Sequence, residues 1–366
     1  MMKILFIIDS LGSGGAQRQK AYLARNFAAQ GHKVEIFIYA PSNDFYLDEF
    51  ISAGIKVHQS QFYKAGFSPQ IIFELRKIIC QGFDCIISSL HAPSIYAAIA
   101  RLGITQGKLI VCEESSSYAP VSFARRLLFY FACLVSDTVV TNSVHETRLK
   151  SKNLGLKSKT QTIWNGYDLS THSTKKLNSG NSQKILLIVG RVAYPKNGLN
   201  LLKGLARFYK KNKWLPRIYW AGRNDTDKRS IKMQEEMNTF LSENKDLQNH
   251  WSWLGEVKDI NALYQSCDAM IHPSIYEGLP NVICEAMLNH CFVIASNVCD
   301  HPLLIGDNER GLLFDPLLPE SICNALENFY DIEDEIKLKI TYEANTFARK
   351  NFDQTLMAGS FLKLME

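Results

Sequence analysis

The sequence predicts an α/β protein of two doubly wound domains facing a central cleft, and three observations carry that expectation. Short apolar runs alternate with amphipathic stretches in both halves of the 366-residue chain. A segment rich in Ser, Thr, Lys and Asn, residues 169–183, separates the two sets and reads as a linker. With 46% hydrophobic residues, the chain can fill two domain-sized cores.

In the first half, candidate strands are residues 3–8, 33–39, 85–88, 109–112 and 138–141, with helical patterns such as 17–30 and 69–80 between them. The opening apolar run is too short for a secretion signal and meets Asp9 at once, so it reads as a buried parallel strand of a cytoplasmic protein. In the second half the strands are 184–189, 217–221, 251–254, 269–272, 292–295 and 311–314. These runs predict a first domain over 1–168 and a second over 184–346, with a ligand cleft outside the carboxyl ends of their strands.

The nine cysteines are odd in number and lack a C-x-x-C pair, which favours reduced thiols and offers no zinc-site spacing. The run 127–135 falls far short of the roughly twenty apolar residues of a membrane span. Charge is uneven: 20 Lys and Arg against 12 Asp and Glu in residues 1–180 (+8), and 21 against 24 in residues 181–366 (−3). A basic half suits a phosphate-bearing lipid or an anionic membrane surface. No basic stripe with interleaved aromatics suggests nucleic acid.

The most informative stretch is Tyr276-Glu-Gly-Leu-Pro-Asn-Val-Ile-Cys-Glu-Ala-Met287. It follows a strand, and Pro280 suits a first helical turn, which puts Glu277 in the loop and Glu285 on the helix. A helix start there, including Gly278, Leu279 and Asn281, offers backbone N–H groups to a phosphate or diphosphate. Arg191 and Lys196, five residues apart after Gly190, are placed to meet a diphosphate; the plain alternative is a solvated loop with incidental charge. Gly14 and Gly15, in a loop ending at Arg18, permit close approach of a ligand to the backbone. A nicotinamide-binding site is the rival reading of that loop, but the second strand ends in Tyr39-Ala40-Pro41, with Asp44 arriving late. Asn165-Gly166 before the linker reads equally as a tight turn.

Gly14-Gly15, Asn165-Gly166-x-Asp168, Gly190-Arg191 with Lys196-Asn197, and Glu277-x7-Glu285 occur in the order seen in the family 4 glycosyltransferases, and the chain resembles that family over nearly its whole length. The resemblance implies a GT-B fold of two Rossmann-like domains and retaining transfer from a nucleotide-diphosphate sugar, with no cofactor and no metal. Trp220-Ala-Gly-Arg223, through Gly222, and Trp253-Leu-Gly255, through Leu254, look like the loops that hold the base. Arg191 and Lys196 would neutralise the leaving diphosphate, Glu285 would hold the ribose, and Glu277 would hold the donor sugar. Same-face attack guided by the departing phosphate is the implied course. A terminal helix, 347–366, would pack back on the first domain.

Where many relatives place a histidine after the fourth strand, this chain has Glu113. A subgroup acting on polyprenyl-diphosphate carriers has a glutamate in a similar segment. Glu113 is therefore an acceptor-side candidate for orienting or deprotonating a hydroxyl, against a plain capping loop with two exposed acids. His91 ends the third strand and is a second candidate, with Arg18 a third. Residues 123–134 combine Arg125 and Arg126 with apolar side chains and suit a helix lying on a membrane, as well as an ordinary core helix. The expectation is a UDP-hexose or UDP-N-acetylhexosamine donor, a polyprenyl-diphosphate-linked glycan acceptor and peripheral contact with an anionic membrane. A soluble acceptor and a catalytically silent partner subunit are the alternatives.

Overall fold

A computed structural model describes residues 1–12, 14–41, 44–64, 66–153, 155–172 and 184–366. Residues 173–183 of the expected linker and Ser13 of the glycine loop lie outside the described residues. The chain divides into two compact units, Met1–Tyr167 with Phe352–Glu366, and Asp168–Asn351.

The first unit runs β1 (Lys3–Ile8), α1 (Gly15–Ala29), β2 (Lys33–Ile38), α2 (Leu47–Ser52), β3 (Lys56–Gln59), α3 (Pro69–Ile79), β4 (Cys85–Ser89), α4 (His91–Arg101), β5 (Lys108–Glu113), α5 (Phe123–Val135), β6 (Thr138–Thr141), α6 (Val144–Asn153) and β7 (Thr160–Thr162). All its strands are parallel, in the order β3-β2-β1-β4-β5-β6-β7. Alternate β1 residues feed opposite cores. Ile4, Phe6 and Ile8 pack with α1, and Leu5 and Ile7 pack with α3, α4 and α5. Burial on both faces is what makes such strands unbroken apolar runs. The order reverses at β1, so its carboxyl end and that of β4 flank the point where doubly wound sheets bind ligands. Strands β3 and β7 were not expected from the sequence. Both are edge strands, reading Lys-Val-His-Gln and Thr-Gln-Thr, with too few apolar residues to stand out.

The second unit runs β8 (Ile185–Val189), α7 (Gly198–Asn212), β9 (Arg217–Ala221), α8 (Lys228–Glu243), α9 (Lys245–His250), β10 (Trp251–Gly255), α10 (Ile260–Ser266), β11 (Ala269–His272), α11 (Asn281–Leu288), β12 (Phe292–Ser296), α12 (His301–Ile305), β13 (Leu312–Phe314), α13 (Pro319–Asp331) and α14 (Asp334–Asn351). Its six strands are also parallel, ordered β10-β9-β8-β11-β12-β13. Trp220, Phe208 and Phe329 are fully buried between sheet and helices. Both sheets and their flanking helices match the expected doubly wound class.

The expected terminal helix over 347–366 is two helices. α14 stops at Asn351, and α15 (Gln354–Met365) begins anew behind Asp353, whose carboxylate accepts from the Thr355 amide at 2.8 Å. α15 belongs to the first unit, where Phe361 joins the α1 core. Its start is tied to Tyr167 by two backbone bonds, Tyr167 N to Phe352 O at 2.7 Å and Gln354 N to Tyr167 O at 3.0 Å. Gly166 lets them approach, since a Cβ there would stand 2.5 Å from the Gln354 Cα. Asn165-Gly166 is thus a packing requirement, and Gln19, 1% exposed, accepts from the Gly166 amide at 2.9 Å.

Gly166→Ala should therefore cost about 1–3 kcal/mol by overpacking, read as a lower urea midpoint. Hydrogen exchange should show α15 losing protection before the β1 and β4 amides. Unchanged stability would contradict the close approach.

Candidate active site

In the second unit the expected donor residues gather at the carboxyl end of the sheet. Pro273 ends β11 because it has no N–H for the ladder, and the chain then turns through Ser274 and Glu277 into α11. The Glu277 carboxylate receives Lys196 Nζ at 2.5 Å, Ser274 Oγ at 2.7 Å and His272 Nε2 at 3.1 Å. Lys196 and Glu277 side chains each keep under a fifth of their surface exposed. Burial pushes the Glu277 carboxyl up, but the Lys196 ammonium and the His272 bond outweigh it and hold the group well below the usual carboxylate range.

His272 is itself fully buried, and burial followed by the Lys196 charge pushes its pKa down, so it is neutral and donates through Nε2. Behind it lies His301, ring centroids 5.3 Å apart, pushed down to about 3 by burial and then by His272. His301 Nδ1 meets Ser296 O at 2.8 Å. Neither histidine, nor Ser274, was assigned a site role from the sequence. A histidine closing a buried strand was the available signal, and only for His272.

Lys196 is aimed by Asn197, a left-handed residue (φ 56°) whose Nδ2 donates to Pro273 O at 3.1 Å and Pro316 O at 2.7 Å. One side chain thus joins the loops after β8, β11 and β13. Arg191 lies on the same β8 loop, is more than half exposed, and pairs with Asp225. Gly190 and Gly222 meet where β8 and β9 end. A Cβ on Gly222 (φ 154°) would stand 2.0 Å from Gly190 O, the same oxygen that accepts from Trp220 Nε1 at 2.8 Å. Beside them, Gly222, Arg223, Asn224, Trp253 and Gly255 help to line a hollow of about 290 Å³. Leu254, on the same strand end, is exposed. A larger hollow of about 410 Å³ lies along Tyr194, Asn200 and Arg229 and includes none of the expected donor residues.

α11 starts behind Pro280, which takes the cap position without a side-chain cap, and the helix proper begins at Asn281; Gly278 and Leu279 complete the approach. Glu285 is on this helix as expected, but only 6% exposed, and the Tyr264 hydroxyl reaches its Oε2 at 3.3 Å.

The other sequence candidates belong to the first unit. Gly14 caps α1 and Gly15 opens it, with Arg18 one turn on, its amide bonded to Gly14 O at 2.9 Å. At the carboxyl ends of β4 and β5, His91 Nε2 stands 2.7 Å from Glu113 Oε2, which Lys150 Nζ also approaches at 3.4 Å. Ser115 Oγ donates to the other Glu113 oxygen at 2.5 Å. Glu113 is 1% exposed, and burial, which would raise its pKa, is overcome by His91, Lys150 and Ser115, leaving it at about 2. The Glu114 side chain is also enclosed, 2.5 Å from Lys20 Nζ. The two acids are therefore not an exposed capping pair. Nor is Glu113 suited to take a proton from a hydroxyl: its affinity for one is too low and its oxygens are enclosed. Its Oε2, 2.7 Å from His91 Nε2, holds the ring in place with Nδ1 turned away from the carboxylate. The fully buried Glu146 makes a second anchor, accepting from the Ser117 amide at 2.8 Å, so the 115–117 loop hangs from two buried carboxylates.

The sequence model described as Glycosyltransferase Family 4 matches residues 13–171, and that described as Glycosyl transferases group 1 matches residues 170–346. The chain is 26% identical over 322 residues, 86% of its length and 84% of the relative's, to "GalNAc-alpha-(1->4)-GalNAc-alpha-(1->3)-diNAcBac-PP-undecaprenol alpha-1,4-N-acetyl-D-galactosaminyltransferase" of Campylobacter jejuni. It is 24% identical, over the full length of both, to "N-acetylgalactosamine-N,N'-diacetylbacillosaminyl-diphospho-undecaprenol 4-alpha-N-acetylgalactosaminyltransferase" of the same organism. Its fold is that of Anabaena Alr3699/HepE solved in complex with UDP and glucose, with a TM-score of 0.82 at 19% identity, covering 100% of this chain and 99% of that one. The two models together span nearly the whole chain: it belongs to the family 4 glycosyltransferases and has the GT-B fold.

Because pairing lowers the Glu113 pKa from 4.5 to about 2, its stabilisation is present above the unfolded-state value and is lost as pH falls toward about 2. Glu113→Gln should cost about 3 kcal/mol at neutral pH, with the gap to the parent closing near pH 2 in urea titrations. A gap constant across that range would contradict the ionised pairing.

Proposed function

We propose that this family 4 glycosyltransferase moves a sugar from a nucleoside-diphosphate donor to a lipid-linked oligosaccharide, with retention of anomeric configuration and without a metal. The observation that carries the donor side is the Lys196–Glu277 ion pair at the carboxyl end of the second unit's sheet. Within that pair each group neutralises the other. A donor diphosphate draws Lys196, together with Arg191 from Asp225, onto its oxygens. Glu277, still bonded to Ser274 and His272, is then available to the donor-sugar hydroxyls and to positive charge growing at the anomeric carbon. Glu285 holds the ribose, and the hollow at Gly222, Arg223 and Trp253 takes the base.

In the transfer step the bond from the anomeric carbon to the diphosphate oxygen breaks, its electron pair leaving on the diphosphate. The acceptor hydroxyl oxygen bonds to the anomeric carbon on the same face, and its proton passes to the departing phosphate oxygen. The cations stabilise that leaving charge. On the acceptor side, His91 orients the incoming hydroxyl through Nδ1, and Glu113 is its positioning residue. The names of the two Campylobacter relatives support an undecaprenyl-diphosphate-linked acceptor, and we extend that reading to bacterial surface-glycan synthesis at the inner face of the cytoplasmic membrane. The HepE complex with UDP and glucose supports a UDP-activated hexose, and the names of the two Campylobacter N-acetylgalactosaminyltransferases support a UDP-N-acetylhexosamine.

Glu277→Ala should lower transfer at least about a hundredfold while nucleoside-diphosphate binding stays measurable. Equal loss of both would remove the sugar-side role. His91→Ala should lower kcat and leave donor affinity unchanged, and an inverted anomeric signal in the product NMR spectrum would rule out retention.

A further inference from the structure

The turn after β12 holds a strained residue against the Glu277 loop, and neither the donor nor the acceptor assignments use it. Strands β11 and β12 are neighbours, with His272 opposite Ala295, so the segments leaving their carboxyl ends run side by side. Ser296, fully buried, donates through Oγ to Ser274 O at 2.6 Å. The chain then closes a tight turn, His301 N to Val298 O at 3.0 Å, whose first central residue is the half-buried Cys299.

Cys299 has φ 49°, in the left-handed region. A side chain there crowds its own backbone, which is why glycine and, less often, asparagine or aspartate occupy it. Another residue persists in that conformation only where its surroundings hold it, and strain of this kind gathers at functional sites. The Cys299 side chain does reach the site: the Glu277 amide donates to its Sγ at 3.4 Å. Asn197 is a parallel case, since it too is left-handed (φ 56°) and its side chain fixes the loop that carries Lys196. Each member of the Lys196–Glu277 pair is thus backed by a left-handed residue whose side chain bridges strand ends.

Ser274 and His272, which bond the Glu277 carboxylate, lie on β11 and on the loop that carries it, so they move with it. Cys299 comes from the neighbouring strand end and holds the backbone of Glu277, which leaves the carboxylate to its other partners. Two residues on, His301 packs its ring against His272 at 5.3 Å, so the same turn supports Glu277 through its amide and through its histidine.

We infer that Cys299 is a positioning residue for the transfer step: by holding the Glu277 amide from the neighbouring strand end, it keeps the carboxylate in register with the donor sugar when Lys196 moves to the diphosphate. The inference rests on the sugar-side role proposed for Glu277 and adds the residue that fixes that group's backbone.

The test compares Cys299→Gly, Cys299→Ala and Cys299→Ser in the full chain, with turnover read as hydrolysis of UDP-glucose and UDP-N-acetylgalactosamine and affinity read with UDP alone. Cys299→Gly removes the tether and the strain together, so kcat should fall about tenfold with donor KM little changed and UDP affinity not weakened, while the thermal midpoint stays level or rises. Cys299→Ala removes the tether and keeps the strain, so the same loss of kcat should come with a lower midpoint. Cys299→Ser keeps an acceptor in place and should hold kcat within about threefold of the parent. Glu277→Ala with Cys299→Gly should lose no more than Glu277→Ala alone, because the cysteine acts through the glutamate. Whatever the turnover, hydrogen exchange at the Glu277 amide should quicken about tenfold in Cys299→Gly and Cys299→Ala. Parent-like Glu277 exchange in both variants would overturn the inference. A loss of kcat that Cys299→Ser shares in full, or that adds to the Glu277→Ala loss, would overturn it as well. If Glu277→Ala loses turnover and Cys299→Gly does not, the positioning role alone fails; full turnover in Glu277→Ala would instead remove the sugar-side reading on which it rests.

Discussion

Lys196 and Glu277 hold each other in the folded chain, and most of the second unit's site is arranged around that ion pair. A carboxylate with so little exposure would be expected to take up a proton, because desolvation disfavours its charged form. The ammonium 2.5 Å away, the neutral His272 and the Ser274 hydroxyl reverse that preference. Removing one partner of such a pair leaves an uncompensated buried charge, at a cost of about 3–5 kcal/mol for fully buried examples and less here, where a fraction of each side chain meets solvent. In the proposed function, that residual opening is the route by which a donor diphosphate would reach the lysine.

The geometry of the pair depends on backbone features some distance away. Asn197 fixes the lysine's loop by bonding to Pro273 and Pro316, and Gly190 and Gly222 permit strand ends to meet without side chains between them. His272 is kept neutral by burial with His301 behind it, so it donates to Glu277 without adding a second positive charge. The first unit repeats the logic with a different outcome. Glu113 is ionised and enclosed, and its effect is passed to His91, the group at the rim.

Much of this was legible in the sequence, for physical reasons that also mark where reading stopped. Strands such as 3–8 and 269–272 are buried on both faces and so read as unbroken apolar runs, whereas the edge strands β3 and β7 are half polar and left no such trace. Glu277 and Lys196 could each be singled out by position after a strand. Their union could not, since the two are 81 residues apart and meet because β8 and β11 are neighbours in the sheet. Glu113 could be named but its role could not, because nothing in the spacing reveals that His91 and Lys150 converge on it. His301 gave no signal: a histidine kept neutral by burial is indistinguishable in sequence from any other. The break between α14 and α15 was missed because residues 352–353 sit inside an otherwise continuous helical pattern; the Asp353 cap and the Tyr167 pairing mark it.

The central claim is that Lys196 is shared between Glu277 and the donor diphosphate. Calorimetric affinity for the free nucleoside diphosphate in Glu277→Gln against the parent tests it most directly. If the lysine is held back by the carboxylate, neutralising Glu277 should tighten nucleoside-diphosphate binding by about three- to tenfold, and Lys196→Met should abolish that gain. Weaker or unchanged binding in Glu277→Gln would contradict the shared-lysine account.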